Sequence, residues 1–417
     1  MLGEIIAVGN ELTSGRIVNS TSYFAASHLF AAGHKIHHMA TVGDEAEKIG
    51  AALLQALERA DFVVVTGGLG STSDDITVAA AAEALDRPQT FYPEIMAKIR
   101  ESKAFAKVPA MEKMAWLPSG AEVLKPGARV AGFMLCHGKK PIFFLPGIPS
   151  QMRELMLDRV IPRLATWKGG SLSLVRQQVY KVVGLEEAEI NQRLAPLEGQ
   201  DSLVSLGYYP MAAEVHVSLT VCGETAPQAE ELFAANEDRV LAGLGQAVYG
   251  RNDDTLAKVT GALLAASGLG LGLAESCTGG LMAHDITGVA GSSAYFNGSV
   301  VAYANEVKER LLGVRPETLL NFGAVSEETA REMVAGARRA LGVDLAVAIT
   351  GIAGPDGGTE EKPVGTVCFG LATPQGSREE TCHFSGSRGY IQAKAAAHGL
   401  DMVRRYLLGQ GEEDAVF

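Results

Sequence analysis

Ser276 stands where an apolar strand pattern, residues 269–274, runs through Glu275-Ser276-Cys277-Thr278-Gly279-Gly280 into a helix pattern. A serine at that junction suits an N-cap. It also suits a nucleophile, because small residues on a helix N-terminus leave free N–H groups for an oxyanion or a phosphate. Tyr303 is expected at the end of the next strand, and Lys308 on the first turn of the helix that follows. With Asn305 as N-cap, Lys308 falls at about N3, facing the positive end of the helix dipole. That placement disfavours the ammonium form and prepares a lysine base for a serine. A solvated surface lysine is the bland alternative. Cys277 is a rival nucleophile, but the nearest histidine, His284, is two helical turns further on, so Ser276 ranks above it. A third loop, Ile349-Thr350-Gly351-Ile352-Ala353-Gly354-Pro355, ends another strand and is expected to line the same cleft, although residues 354–358 also read as an ordinary turn.

A second set of residues lies near the N-terminus. Gly67-Gly68-Leu69-Gly70 ends a β-branched run at 61–66, and Asp74 and Asp75 precede a helix pattern beginning near Ile76. This reads as a cradle for a nucleotide or pterin phosphate, with Asp75 helping to hold a divalent cation. Either aspartate capping the helix is an equal alternative.

Strands alternating with helices must position both sets. Residues 1–168 carry strands at 3–8, 61–66 and 140–145 and helices at 20–32, 76–85 and 151–164, which implies an α/β domain with a parallel sheet. Ligands in such folds sit at the C-terminal ends of the strands, where the Gly-rich turns fall. Residues 169–252 read as a small α+β connector, entered through Trp167-Lys168-Gly169-Gly170 and suited to a spacer or dimerisation role. Residues 253–417 form a second α/β sandwich, ending in a helix at 389–408.

Composition narrows the function classes. At about 150 residues per domain, 417 residues suggest two to three domains. The balance of 36 basic against 48 acidic residues gives −12, which argues against direct nucleic-acid contact. Apolar residues make up 47%, enough for buried cores. The apolar stretch 259–274 is too short for a membrane span and is broken by glycines. Five scattered cysteines offer neither a zinc spacing nor a disulfide framework, and the N-terminus lacks a signal-peptide pattern, so a cytoplasmic protein is expected. The 48 glycines, clustered at strand ends, are expected to make ligand-facing turns.

Several stretches resemble the CinA family. ESCTGG (275–280), GSVVAYANEVKERLLGV (298–314), GAVS (323–326), TGIAGP (350–355) and KPVGTV (362–367) are similar to its nicotinamide-nucleotide amidase domain. TGGLGSTSDDIT (66–77) and LPGIPSQM (145–152) are similar to its molybdopterin-binding, MoaB/MogA-like domain. The resemblance implies hydrolysis of the carboxamide of nicotinamide mononucleotide to nicotinic acid mononucleotide and ammonia, without a metal. It assigns Ser276 as nucleophile, Lys308 as base and Tyr303 to orient or relay the proton. Thr278, Gly279, Gly280, Thr350, Gly351 and Arg388 would bind substrate, the last through the nucleotide phosphate. In the first domain it implies a phosphorylated ligand at Gly67, Gly68, Asp74 and Asp75. In some members it also implies metal-dependent cleavage of ADP-ribose, and a homodimer is in keeping with the family. The chain departs from the pattern at Ala290, Ser71, Thr21 and Gln151; the last puts a carboxamide where glutamate is common and removes an anionic ligand or base. The competing classes are a binding protein with a vestigial amidase site and a competence-related interaction protein.

Overall fold

The computed structural model describes residues 1–101, 108–126, 132–167 and 174–409. The expected linker at 168–170 lies outside them. The described residues form two compact units, Met1–Arg176 with Val221–Leu232, and Gln177–Thr220 with Phe233–Phe417.

The first unit is built on strands β1 (Leu2–Val8), β2 (Lys35–Val42), β3 (Phe62–Thr66), β4 (Gln89–Phe91), β5 (Trp116–Pro118), β6 (Glu122–Val123), β7 (Phe133–His137) and β8 (Lys140–Leu145). Six of them form a sheet in the order β2-β1-β3-β8-β7-β6, while β4 and β5 pair separately. Strands β1, β2, β3 and β8 are parallel, whereas β7 runs antiparallel to both β8 and β6. The sheet is therefore mixed at one edge. The cause is local: β7 and β8 are joined by the two-residue turn Gly138-Lys139, and only antiparallel neighbours can be linked so tightly. Alternate residues of the central strands enter different cores. Ile6, Val8, Val63 and Val65 pack with Ile49, Leu53 and Ala81 from the helices Ala46–Arg59 and Thr77–Ala84. Ile5, Phe62, Val64 and Phe143 pack with Ala25, Leu29 and Met152 from Ser20–Ala31 and Pro149–Leu155. Both faces of the sheet are thus covered, and each buried Leu, Ile or Phe contributes about 1.5–3 kcal/mol. The helix expected at 151–164 is three pieces: Pro149–Leu155, a wide π turn over Met156–Val160, and Ile161–Trp167. Pro162 accounts for the wide turn, since it cannot donate and its ring crowds the preceding turn.

Strands β9 (Leu174–Val182), β10 (Val204–Pro210), β11 (Val215–Gly223) and β12 (Val248–Arg251) form a four-stranded sheet in the order β10-β11-β9-β12. Its helices are Glu187–Leu194 and Ala226–Leu244, close to the α+β reading of the sequence.

The last sheet comprises β13 (Leu271–Glu275), β14 (Phe296–Val301), β15 (Leu345–Gly351), β16 (Thr366–Thr373) and β17 (Gly376–His383), in the order β14-β13-β15-β16-β17. Strands β13, β14 and β15 are parallel; β16 and β17 are antiparallel additions, with the two-residue turn Pro374-Gln375 between them. One face packs Leu271, Leu273, Val347 and Ile349 against Leu264, Met282, Ile391 and Leu400. The other is lined by small residues, Ala274, Ala346, Ala348 and Ala372, against Met333, Val334 and Ala337. Small residues let the helix Glu327–Leu341 approach closely. A Cβ on its Gly336 would lie 1.9 Å from the carbonyl oxygen of Leu312. Leu312 ends the helix Asn305–Leu312, which carries Lys308. No helix among the described residues is long and apolar enough to cross a membrane.

Candidate active site

Strand β13 is fully buried and delivers Ser276 at its carboxyl end, where the Ser276 N–H donates to Ile349 O at 2.9 Å. The chain then turns through Gly279 (φ 63°) and Gly280 (φ 98°), left-handed conformations that favour glycine. Strand β14 ends at Val301, short of the expected Tyr303, and Ala302 keeps the loop in register by donating to Glu275 O. The next helix begins at Asn305 with Ala304 as N-cap, so Lys308 falls one position later than expected.

Lys308 is not a surface lysine. It is 1% exposed, and its Nζ lies 3.0 Å from Ser276 Oγ, 2.8 Å from Ala302 O and 3.4 Å from Tyr303 O. Burial pulls its pKa below the ordinary lysine value. The leading cause is loss of hydration. In the neutral amine, two hydrogens can satisfy the two carbonyls while the lone pair faces the Ser276 hydroxyl. This is the arrangement a serine nucleophile and its base require.

Cys277 is buried, and burial pushes its thiol up to about 12. A thiol held protonated is a poor nucleophile, which leaves Ser276 as the better candidate.

Ser276, Cys277, Tyr303, Lys308, Thr350, Gly351 and Arg388 surround a cleft of about 190 Å³, with Asn305, Ala324, Val325 and Ala353 completing its wall. Thr350 is buried and donates to Ala324 O at 2.6 Å. Arg388, the first residue of the helix Arg388–Leu407, donates through Nη1 to Gly354 O at 2.7 Å and through Nη2 to the Tyr303 hydroxyl at 2.9 Å. Tyr303 is 63% exposed, so this pair forms the rim. The Tyr303 hydroxyl faces Arg388, and the contact between Tyr303 and Lys308 runs through the backbone carbonyl. A proton relay through the phenol has no hydrogen-bonded path among the described residues.

Thr278, Gly279 and Gly280 are not in the cleft wall. The free helix N-terminus expected there is already occupied. Glu275, wholly buried, accepts from the amides of Gly280 (3.1 Å), Met282 (3.1 Å) and Ala283 (3.0 Å) and from Ser299 Oγ (3.2 Å). Sequence reasoning passed over Glu275, although an acid inside an apolar strand is a signal, since a buried carboxylate must find donors. Gln392 was also missed; its Nε2 donates to Cys277 O at 2.7 Å and ties the last helix to the serine turn.

In the first unit, Gly67 (φ 102°) and Gly68 (φ 67°) bring the ends of β1, β3 and β8 together; a Cβ on Gly67 would lie 2.2 Å from Val8 O. A cleft of about 550 Å³ opens there, lined by Gly67, Gly68, Ser71, Asp74, Asp75 and Gln151, with Thr21, Glu11 and Asp44 on its other side. Neither aspartate caps the following helix, whose N-cap is Ile76 without a side-chain bond. Asp75 instead turns back and accepts from the N–H (2.8 Å) and Oγ1 (2.5 Å) of Thr72.

Known proteins resemble this chain over nearly its whole length. Residues 4–166 match the family described as a probable molybdopterin binding domain, 177–250 the damage-inducible protein CinA KH domain, and 253–407 the CinA C-terminal domain. A CinA-like protein of Desulfotalea psychrophila is 46% identical over 408 residues, covering 97% of this chain and 98% of that protein. The chain belongs to the CinA family. A putative competence-damage inducible protein of Symbiobacterium thermophilum is 40% identical over 425 residues, covering 98% of this CinA-family chain and 99% of its own length. Among solved structures, the competence/damage inducible protein CihA from Agrobacterium tumefaciens is 41% identical over 35% of this chain and 90% of its own, with a TM-score of 0.35.

Proposed function

We propose that the C-terminal unit of this CinA-family chain hydrolyses the carboxamide of nicotinamide mononucleotide to nicotinic acid mononucleotide and ammonia. The observation that carries the reading is the buried Lys308 amine 3.0 Å from Ser276 Oγ, in the wall of a small cleft. Ser276 Oγ attacks the amide carbon as its proton passes to Lys308. The Lys308 ammonium returns that proton to the departing nitrogen, the C–N bond breaks, and ammonia leaves an ester on Ser276. Water then attacks the ester, Lys308 takes the proton of the water, and the acid departs as Ser276 recovers its hydrogen. Arg388, at the rim, supplies a cation for the nucleotide phosphate. The test is incubation of the purified chain with nicotinamide mononucleotide and with free nicotinamide. Conversion of the nucleotide alone to its acid supports the reading, and no acid from either contradicts it.

The N-terminal cleft supports a second reading, binding of a phosphorylated heterocycle of the molybdopterin or nucleotide type. Its volume and the bare backbone at Gly67 and Gly68 favour a ligand there. A divalent metal fits less well. Asp75 is committed to Thr72, Asp44 accepts from the Asn10 N–H, and among the described residues no three His, Cys, Asp or Glu side chains converge to hold an ion. Calorimetric titration with ADP-ribose, with and without magnesium, tests the nucleotide form of this reading; no heat under either condition removes that form.

A further inference from the structure

Four consecutive carbonyls in the turn before the helix Glu327–Leu341 are each held by a side chain. Lys362 Nζ donates to Phe322 O and to Val325 O, both at 2.7 Å. Thr329 Oγ1 donates to Gly323 O at 2.7 Å, and Thr350 Oγ1 to Ala324 O. Lys362 is fixed in turn by Thr359: its N–H donates to Thr359 Oγ1 at 3.0 Å, and its carbonyl accepts from the Thr359 N–H at 2.9 Å. Gly323, at φ 80° and ψ 173°, adopts a conformation essentially confined to glycine. Such dense bracing of one turn fixes its peptide planes.

A planar trans peptide points its C=O and N–H in opposite directions. With Gly323 O turned to Thr329, the Ala324 N–H points away from the helix start. With Ala324 O turned to the buried Thr350, the Val325 N–H points away from Thr350. Both residues line the cleft beside Ser276, and neither amide has an acceptor among the described residues. Several other amides near the serine are engaged. Those of Gly280, Met282 and Ala283 end on Glu275, that of Ser276 on Ile349 O and that of Gly279 on Ser276 O.

We propose that Lys362 is a positioning residue, which holds the 322–325 turn so that the Ala324 and Val325 amides receive the oxygen that turns negative when Ser276 attacks. This rests on the serine-hydrolase reading of the cleft. Donors aimed at developing charge in a site that excludes water are commonly worth about 10²–10³-fold in turnover each. Lys362 is not in the cleft wall and its amine is held by Phe322 O and Val325 O, so its removal should loosen the donors and leave the Ser276–Lys308 pair intact.

The test uses a fluorophosphonate and the full chain. Ser276 Oγ bonds to phosphorus, the P–F bond breaks, fluoride leaves, and the serine proton passes to Lys308; the phosphoryl oxygen takes the place of the oxyanion. Lys362→Met should be modified at Ser276 about 10²-fold more slowly than the native chain, with the same pH profile, and Lys362→Arg should recover most of the rate. Turnover of nicotinamide mononucleotide should lose kcat to the same degree, with KM within about twofold. If Lys362→Met fails to fold, Thr350→Val, which frees Ala324 O, should show the same kcat-weighted loss. An unchanged modification rate in a folded Lys362→Met, or a shifted pH profile, overturns the proposal. A native chain that neither reacts with the probe nor releases ammonia overturns the serine-hydrolase reading itself, so the two failures are distinguishable.

Discussion

Lys308 reaches across 32 residues of chain to place its amine 3.0 Å from Ser276 Oγ, with its side chain buried. Burying a lysine without a carboxylate partner costs stability and lowers its pKa, and the cost is repaid in reactivity. Both consequences are measurable.

The rate should rise with pH as Lys308 loses its proton, and level off below the ordinary lysine value, because burial lowers the folded pKa. Unfolded lysine titrates near 10.4, so between that value and the lowered folded pKa the unfolded chain binds more protons. Stability from this group is therefore highest above the unfolded pKa and is lost as pH falls to the folded one. Lys308→Met should remove the penalty. At neutral pH it should raise the thermal midpoint while cutting kcat by about 10²–10⁴-fold. A variant that is both inactive and less stable would contradict this account of the burial.

Glu275 organises the serine turn by accepting from three amides and a hydroxyl. Glu275→Ala would leave buried N–H groups without acceptors, a loss of about 2–4 kcal/mol. Glu275→Gln, which keeps one acceptor oxygen, should lose less. Denaturant titration of both variants checks the order, and equal stability with the native chain would show that the carboxylate is dispensable.

Gly336 lets the helix Glu327–Leu341 rest on the end of the helix that bears Lys308. Gly336→Ala should force the two apart, costing about 1–3 kcal/mol. Because Leu312 and Lys308 share a helix, turnover should fall with stability. Unchanged stability in this variant would show that the contact relaxes freely.

Arg388 forks between Gly354 O and the Tyr303 hydroxyl at the rim. If it also meets the nucleotide phosphate, Arg388→Lys should raise KM for nicotinamide mononucleotide by about tenfold with kcat largely kept, since lysine cannot reproduce the fork. A fall in kcat alone would place Arg388 in the chemistry instead.

Much of this arrangement was legible in the residues. The apolar run before Ser276 and the glycines after it mark a strand-to-turn junction, and the run at 345–349 lies within β15. Local patterns also located the helices around Lys308 and Arg388. What they could not show is which groups meet. The free helix start after Ser276 is filled by Glu275, a side chain from the preceding strand whose partners are set by the turn's path in space. The lowered pKa of Lys308 comes from burial among neighbours distant in sequence, while the dipole argument considered only its own helix. Antiparallel β7 and β16 were missed as partners of parallel strands, and β17 as the partner of β16, because pairing direction depends on turn length rather than on hydrophobic period.

The most direct measurement is ammonia release from nicotinamide mononucleotide by the purified native chain and by Ser276→Ala, at a pH where Lys308 is neutral. The native chain should release one ammonia for each nicotinic acid mononucleotide formed, and Ser276→Ala should be slower by at least about 10³-fold. Equal rates in the two proteins would remove Ser276 as the nucleophile and with it the reading of this cleft.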